Sequence, residues 1–205
     1  MDDAQKNLIE KVAALYLSYG VRSVTMDDVA RHLGISKKTL YSLVKDKNEL
    51  VRLVVDSQIE VHRQDDEELK KMNVSALEEM LVVFKKVTEL LQSFNPSYQY
   101  DLNKYYPHLS SKFLDFKQEQ LFNNIKGNLI KGKTEGIYRE EMNVDIIARM
   151  NTDRNISMFR SNEESHNWHT KEIFQEIFLY HIHAILNDKG RELLKQKNFF
   201  QKTSK

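Results

Sequence analysis

The segment from Thr25 to Lys47 constrains the fold more than any other stretch of this chain. It holds two apolar-periodic segments of about eight residues, separated by Gly34 and preceded by the helix-capping residues Thr25 and Ser36. Glycine readily adopts the left-handed conformation that ends a helix. The pattern predicts a helix-turn-helix.

The apolar spacing predicts a longer amphipathic helix over 5–19, and shorter helices are predicted over 26–33 and 37–44. Asp46 and Glu49 form a further cap-like pair, which predicts a fourth helix from residue 47 to about 71. The outward positions of the helix over 37–44 include Lys37, Lys38, Thr39 and Tyr41.

Composition supports an all-α protein. Apolar residues make up 40% of the chain, and only 6 Gly and 2 Pro are present, too few for the many turns of an all-β fold. Without cysteine, the chain can form no disulfide, thiol nucleophile or cysteine zinc site. The net charge is +1, but residues 31–47 carry five basic side chains and one acidic one. Positive charge is therefore focused on the predicted helix-turn-helix, as one DNA-docking face requires.

The rest of the chain predicts a helical bundle, giving nine to ten helices in all. We place a domain boundary between 1–62, which holds the helix-turn-helix at about 25–44, and 63–205. An acidic run followed by two lysines marks a solvated stretch just beyond this boundary. Capping residues, prolines and glycines delimit the remaining helices, over about 75–94, 97–105, 107–133, 144–161, 171–187 and 191–197.

The segment from Ile9 to Leu53 resembles the DNA-binding domain of the TetR (tetracycline-repressor-like) family of bacterial transcription regulators. One departure is Val44, where the family usually has an aromatic residue. The residues that carry the resemblance are Ala14, Tyr19-Gly20, Thr25-Met26-Asp27-Asp28-Val29-Ala30, Leu33-Gly34-Ile35-Ser36, Thr39-Leu40-Tyr41 and Lys47-x-Glu49-Leu50.

The resemblance selects the residues expected to bind DNA. Lys37 and Lys38 open the recognition helix, where a lysine can reach guanine O6 and N7 or a phosphate. In the family, the position of Tyr41 typically contacts a phosphate through its hydroxyl. The starts of the second and fourth helices also favour phosphate. The DNA-binding residues are predicted to be Thr25, Ser36, Lys37, Lys38, Thr39, Tyr41 and Lys47.

The resemblance also implies that the second domain binds a small-molecule effector and forms a homodimer through its last two long helices. The apolar residues over 171–187 cover more of the helix circumference than one core-facing stripe requires. The alternative is a central helix buried within one subunit. The predicted dimer interface is Ile173, Ile177, Phe178, His181 and Ile185.

An aromatic-rich middle region could line the effector pocket, because ligand cavities are mostly apolar and aromatic. The alternative is that these aromatics are ordinary core and surface residues. The predicted pocket residues are Phe84, Tyr98, Tyr105, Tyr106, Phe113, Phe116 and Phe122.

No catalytic pattern is evident, so we expect no enzyme, no cofactor and no metal. His166 and His169, which lack a firm third ligand, are more typical of solvated side chains than of a metal site. The polar N-terminus resembles no signal peptide, and no apolar run approaches the ~20 residues of a membrane span. A cytoplasmic protein with no membrane partner is therefore expected.

The resemblance implies a repressor that binds double-stranded operator DNA as a homodimer and is released by a small-molecule effector. The alternative from another class is a DNA-binding module without an effector, controlled by a protein partner or by its abundance alone. A helical enzyme or carrier is disfavoured by the focused positive charge and the absence of a catalytic pattern.

Overall fold

The computed structural model describes residues 3–92, 95–160 and 171–197. Within these ranges the regular secondary structure is helical, and one isolated bridge between Tyr138 and Leu186 is their only strand-like pairing. The helices are α1 Asp3–Tyr19, α2 Met26–Leu33, α3 Lys37–Leu43, α4 Lys47–Lys71, α5 Ala76–Gln92, α6 Pro96–Tyr105, α7 Pro107–Thr134, α8 Val144–Arg160, α9 Lys171–Ile185 and α10 Asp188–Gln196.

The all-α prediction is confirmed, and the first four helices agree with the sequence to within two residues. The last helix begins at Asp188, earlier than the predicted 191, because Asn187 caps it by accepting the Gly190 N–H at 3.0 Å. The predicted end of the fifth helix near 94 and that of the eighth at 161 lie outside the described residues. None of the described helices is long and apolar enough to span a membrane.

Within the described residues the chain forms two compact units, one of 3–68 and 95–117, the other of 69–92, 118–160 and 171–197. The first unit therefore contains α1 to α3, most of α4, and also α6 with the beginning of α7. The predicted division after residue 62 assigns α6 and the beginning of α7 to the second domain instead. That division remains a proposal about domain organisation. The apolar core of the first unit includes Ile9, Val12, Tyr16, Val29, Leu40, Val44, Leu50, Val54, Tyr98 and Leu102.

The second unit is built around the turn that follows α7. Tyr138 is almost fully buried and donates its hydroxyl to Asn128 Oδ1 at 2.9 Å, and Asn128 in turn donates to the Ala76 carbonyl at 2.8 Å. The Arg139 N–H donates to the Ile185 carbonyl at 2.9 Å, which ties this turn to the end of α9. The remaining core includes Leu77, Leu81, Phe84, Leu129, Ile137, Ala148, Phe178, Ile182, Ile185, Leu186 and Leu194.

Two partly buried histidines make the stability of the fold depend on pH. Burial, aided by Lys117, lowers the pKa of His62 to about 4 despite the opposing charge of Asp65. Burial and the charge of Arg154 lower the pKa of His181 to about 4. The unfolded chain takes up protons as the pH falls below about 6.5, whereas the folded chain does not until about 4. Stability is therefore lost across that window as the pH falls.

We expect the free energy of unfolding to be about 1–2 kcal/mol lower per histidine at pH 5 than at pH 7. Urea titrations at the two pH values measure this difference directly. The double variant His62→Gln, His181→Gln serves as the control and should lose most of the pH dependence. An equally steep dependence in that variant would contradict the assignment to these two side chains.

Candidate nucleic-acid interface

Reciprocal hydrogen bonds fix the start of α2. The Thr25 hydroxyl accepts the Asp28 N–H at 3.1 Å, and the Asp28 carboxylate accepts the Thr25 N–H at 3.0 Å. The hydroxyl also donates to Asp28 Oδ2 at 2.6 Å. These hydrogen bonds lower the pKa of Asp28, so the carboxylate stays ionised at the positive end of the helix dipole. The predicted cap is confirmed as a complete capping box.

The turn between α2 and α3 depends on Gly34, which adopts a φ of +67°. Its N–H donates to the Arg31 carbonyl at 3.1 Å, and the Ile35 N–H donates to the Ala30 carbonyl at 3.0 Å. A residue with a Cβ would be strained at this φ. The glycine thus ends α2 within one residue and lets α3 begin almost immediately.

The orientation of α3 follows from its buried residues. Leu40 and Val44 have exposed fractions of 0% and 3%, so this side of the helix faces the core. Ser36 caps the helix by accepting the Thr39 N–H at 3.0 Å. The opposite side is exposed and carries the predicted residues Lys37, Lys38, Thr39 and Tyr41.

Two lysines at the start of α3 have different surroundings. Lys37 Nζ lies 2.6 Å from the carboxylate of Asp27 on α2, and this hydrogen bond raises the Lys37 pKa. Lys38 is exposed and, within the described part of the chain, makes no ion pair. Lys38 is therefore free to bind a phosphate or a base edge, whereas Lys37 must first leave Asp27.

Lys47 at the start of α4 connects two elements of the interface. Its ammonium donates to the Val24 carbonyl at 2.6 Å and to the Arg22 carbonyl at 3.4 Å. Burial lowers the Lys47 pKa, against the opposing effect of nearby carboxylates. Two of its three N–H donors are thus directed at the loop before α2, and one remains for a phosphate.

Leu43 is an exposed residue of α3 that the sequence prediction omitted. Its exposed fraction is 45%, close to the 43% of Tyr41, because Val44 rather than Leu43 enters the core. Helical periodicity alone does not show whether Leu43 or Val44 faces the core. The two differ because Val44, the C-cap of α3, has an extended backbone conformation. An exposed leucine here offers an apolar contact for the methyl group of thymine.

The predicted effector-pocket residues lie in two clusters. Tyr98 is buried in the core of the first unit, where its hydroxyl donates to Gln58 at 2.6 Å. Phe84 lies in the core of the second unit, with its ring centroid 4.3 Å from that of Phe178. Of the other predicted residues, Tyr106, Phe113 and Phe116 pack against the first core, Phe122 packs against the second, and Tyr105 is 38% exposed.

The predicted dimer residues of α9 divide by orientation. Phe178 and Ile185 have exposed fractions of 8% and 1%, so they belong to the core of their own unit. Ile173, Ile177 and His181 are partly buried. The outer face of α9 instead holds a shallow open depression lined by Glu176, Leu179, Tyr180, His183 and Ala184. Tyr180 is 75% exposed, and Ile146 and Met150 of α8 are 56% and 62% exposed.

The histidine pair considered for a metal, His166 and His169, lies outside the described residues. Among the residues that are described, no group of three or more histidine, cysteine or acidic side chains is arranged to hold a metal ion.

Comparison with known proteins shows which family the helix-turn-helix resembles. Residues 8–54 match the sequence pattern of bacterial regulatory proteins of the tetR family. No protein with a curated description matches the chain. A transcriptional regulator from Cytophaga hutchinsonii ATCC 33406 is 16% identical, with a TM-score of 0.69 over 91% of this chain and 100% of its own.

Two further solved structures share the fold. The ketosteroid transcriptional regulator KstR2 of Mycobacterium tuberculosis is 19% identical, with a TM-score of 0.58 over 92% of this chain and 97% of its own. A gamma-butyrolactone receptor, an ArpA-like protein, is 15% identical, with a TM-score of 0.61 over 97% of each chain. Residues 8–54 therefore carry the helix-turn-helix of the tetR family of bacterial regulatory proteins, and the chain shares its fold with solved transcriptional regulators.

Proposed function

We propose that the protein binds double-stranded operator DNA as a homodimer and represses transcription until a small-molecule effector releases it. The observation that carries the proposal is the exposed face of α3. One side of α3 is exposed and carries Lys38, Thr39 and Tyr41. The opposite side is buried in the core through Leu40 and Val44. The exposed face can enter a major groove without unfolding its own unit.

The DNA contacts divide by chemistry. Lys38 and Leu43 are suited to base edges, since one can donate to guanine and the other can contact the thymine methyl. Thr25, Tyr41 and Lys47 are suited to phosphates, because they lie on or near helix N-termini or carry an exposed donor. The phosphate contacts would fix the position of α3, and the base contacts would supply the sequence preference.

The dimer is proposed to form through the outer faces of α8 and α9. Ile146, Met150 and Tyr180 are each more than half exposed in the single chain, and exposed large apolar residues favour association. Because Phe178 and Ile185 are buried within their unit, we assign the contact to the opposite side of α9. A two-fold dimer would place two copies of α3 in successive major grooves, about 34–36 Å apart.

The effector proposal rests on the fold and on the relatives. One relative is described as a ketosteroid transcriptional regulator and another as a gamma-butyrolactone receptor. We propose that this chain, too, responds to a small molecule. An effector shifts the equilibrium only by its different affinity for the DNA-binding and released conformers.

Selection from a pool of randomised duplexes tests the DNA proposal. We expect the wild-type protein to enrich an inverted repeat, and sedimentation of the complex to give two or a multiple of two chains per duplex. Failure to enrich any sequence would reject operator binding, and one chain on one half-site would reject the dimer.

For the effector, thermal-shift screening should find a compound that stabilises the protein and lowers its affinity for the enriched duplex. A screen without any such compound would favour regulation by a partner or by abundance.

Tyr41→Phe tests the phosphate role of the tyrosine hydroxyl. We expect binding to be weaker by roughly 10- to 150-fold, and by a similar factor for enriched and unrelated duplexes, because a lost charge-assisted hydrogen bond costs roughly 1.5–3 kcal/mol. Gel-shift titrations measure both affinities. Tyr19→Phe, which removes a hydroxyl from an exposed position on α1, is the control. Unchanged affinity in Tyr41→Phe would exclude this role.

A further inference from the structure

Helix α6 lies far from the helix-turn-helix in sequence but packs in the same compact unit. Its inner face carries Tyr98 and Leu102, which are buried in the core that also contains Val12 and Tyr16 of α1. At its start, the Asn95 side chain caps α6 and also donates to the Ser18 carbonyl at 2.6 Å. The helix is therefore bound to the last turn of α1.

Asp101 of α6 contacts the loop between α1 and α2. The carboxylate is only 7% exposed and accepts the backbone N–H of Arg22 at 2.7 Å. A Cβ on Gly20 would lie 2.8 Å from the same carboxylate oxygen, and Gly20 has a φ of +80°. The close approach thus requires glycine for two reasons, lack of space and backbone conformation.

The same loop is held from its other side by α4. Lys47 donates to the carbonyls of Arg22 and Val24, and the next residue, Thr25, caps α2. Asp101 therefore binds the N–H of Arg22 while Lys47 binds its carbonyl. The guanidinium of Arg22 also donates to Tyr105 at the end of α6 and lies over its ring. The loop is fixed between α6 and the start of α4.

We propose that Asp101 is a positioning residue for DNA binding. By holding the loop 20–25, it sets the position of Thr25 relative to Lys47. These two residues begin α2 and α4, the helix ends to which we assign phosphate contacts. Asp101 itself carries a negative charge and does not contact DNA in this proposal, which rests on the proposed DNA-binding function.

The direction of the change in DNA affinity distinguishes a positioning role of Asp101 from a purely electrostatic one. Removing a carboxylate near a DNA-binding surface should strengthen binding if Asp101 acted only through its charge. If Asp101 positions the loop, Asp101→Ala should instead weaken binding, because the Arg22 N–H loses its acceptor and the loop can move. Asp101→Asn also removes the charge but keeps an oxygen that can accept the N–H.

The experiment measures affinity for the duplex that the wild-type protein enriches from the randomised pool. We expect Asp101→Ala to bind about tenfold more weakly and Asp101→Asn to bind within about threefold of wild type.

The slope of log affinity against log salt should be shallower by about one for Asp101→Ala, as the contact from Lys47 is lost. A purely structural role would lower thermal stability and leave this slope unchanged. Glu10→Ala, at an exposed acidic position on α1, is the charge-matched control.

Each outcome decides the proposal. Wild-type affinity or tighter binding in Asp101→Ala overturns it, and so does an equally large loss in Asp101→Asn. Circular dichroism at the assay temperature shows whether the alanine variant is folded. If it is not, Asp101→Leu takes its place, since leucine has similar branching and lacks an acceptor. A wild-type protein that enriches no duplex would instead reject the proposed function itself.

Discussion

Gly132→Ala is expected to lower the free energy of unfolding by about 3 kcal/mol, the largest effect on stability that we predict. A Cβ at Gly132 would lie 2.1 Å from Tyr138 Cδ2 and 2.6 Å from Tyr138 Cγ. Cγ is close to the backbone, so the ring can make room only if the turn after α7 moves. That movement would break the buried hydrogen bond from the Tyr138 hydroxyl to Asn128.

Gly127→Ala provides a matched control on the same helix. Gly127 is exposed, and a Cβ there would meet no atom within 4 Å. Alanine should therefore stabilise the helix by roughly 0.5–1 kcal/mol, since glycine loses more backbone entropy on folding. Urea unfolding of both variants gives the two values. If both substitutions changed stability by a similar amount, the contact between Gly132 and the tyrosine ring would not be the cause.

Lys38→Glu is expected to weaken binding to the enriched duplex by about 100-fold at roughly 0.1 M salt. The substitution turns an attraction to phosphate into a repulsion, and Lys38 has no described ion pair that would offset the change. The helix itself should tolerate the change, because a carboxylate in the first turn of α3 is favoured by the helix dipole. A loss of affinity would then reflect the interface and not unfolding.

Fluorescence anisotropy with a labelled duplex measures this loss, and circular dichroism checks the fold. Lys6→Glu, on the exposed surface of α1, makes the same change in net charge away from the proposed interface. Lys38→Ala should reduce the salt dependence by about one counterion. Equal losses in Lys6→Glu and Lys38→Glu would show that only the overall charge of the protein matters.

The local features of the fold could be predicted from the sequence because each depends on neighbouring residues. Thr25 caps α2 and Ser36 caps α3, where their side chains can reach an N–H three residues later. Gly34 ends α2 because it has no Cβ. These features determine helix ends, and helix ends together with apolar periodicity place the exposed face of α3.

Features that depend on distant residues could not be predicted in this way. The apolar residues of α9 surround the helix, so periodicity could not tell the inward Phe178 from the outward Tyr180. The aromatic pocket could not be predicted reliably for a similar reason, because residue type does not reveal whether Tyr98 and Phe84 lie in the same cluster. The contact of Asp101 with Arg22 joins residues 79 positions apart and leaves no local pattern.

The ion pair between Lys37 and Asp27 has a consequence for discrimination between DNA sequences. Both side chains are more than half exposed, so solvent screens the ion pair and it can exchange readily. While it persists, Asp27 cancels part of the attraction that any duplex exerts on α3. A duplex that offers Lys37 a well-placed acceptor can replace the carboxylate, whereas a poorly matched one cannot. In the proposed complex, Asp27 would therefore weaken binding to unrelated duplexes more than binding to a matched operator.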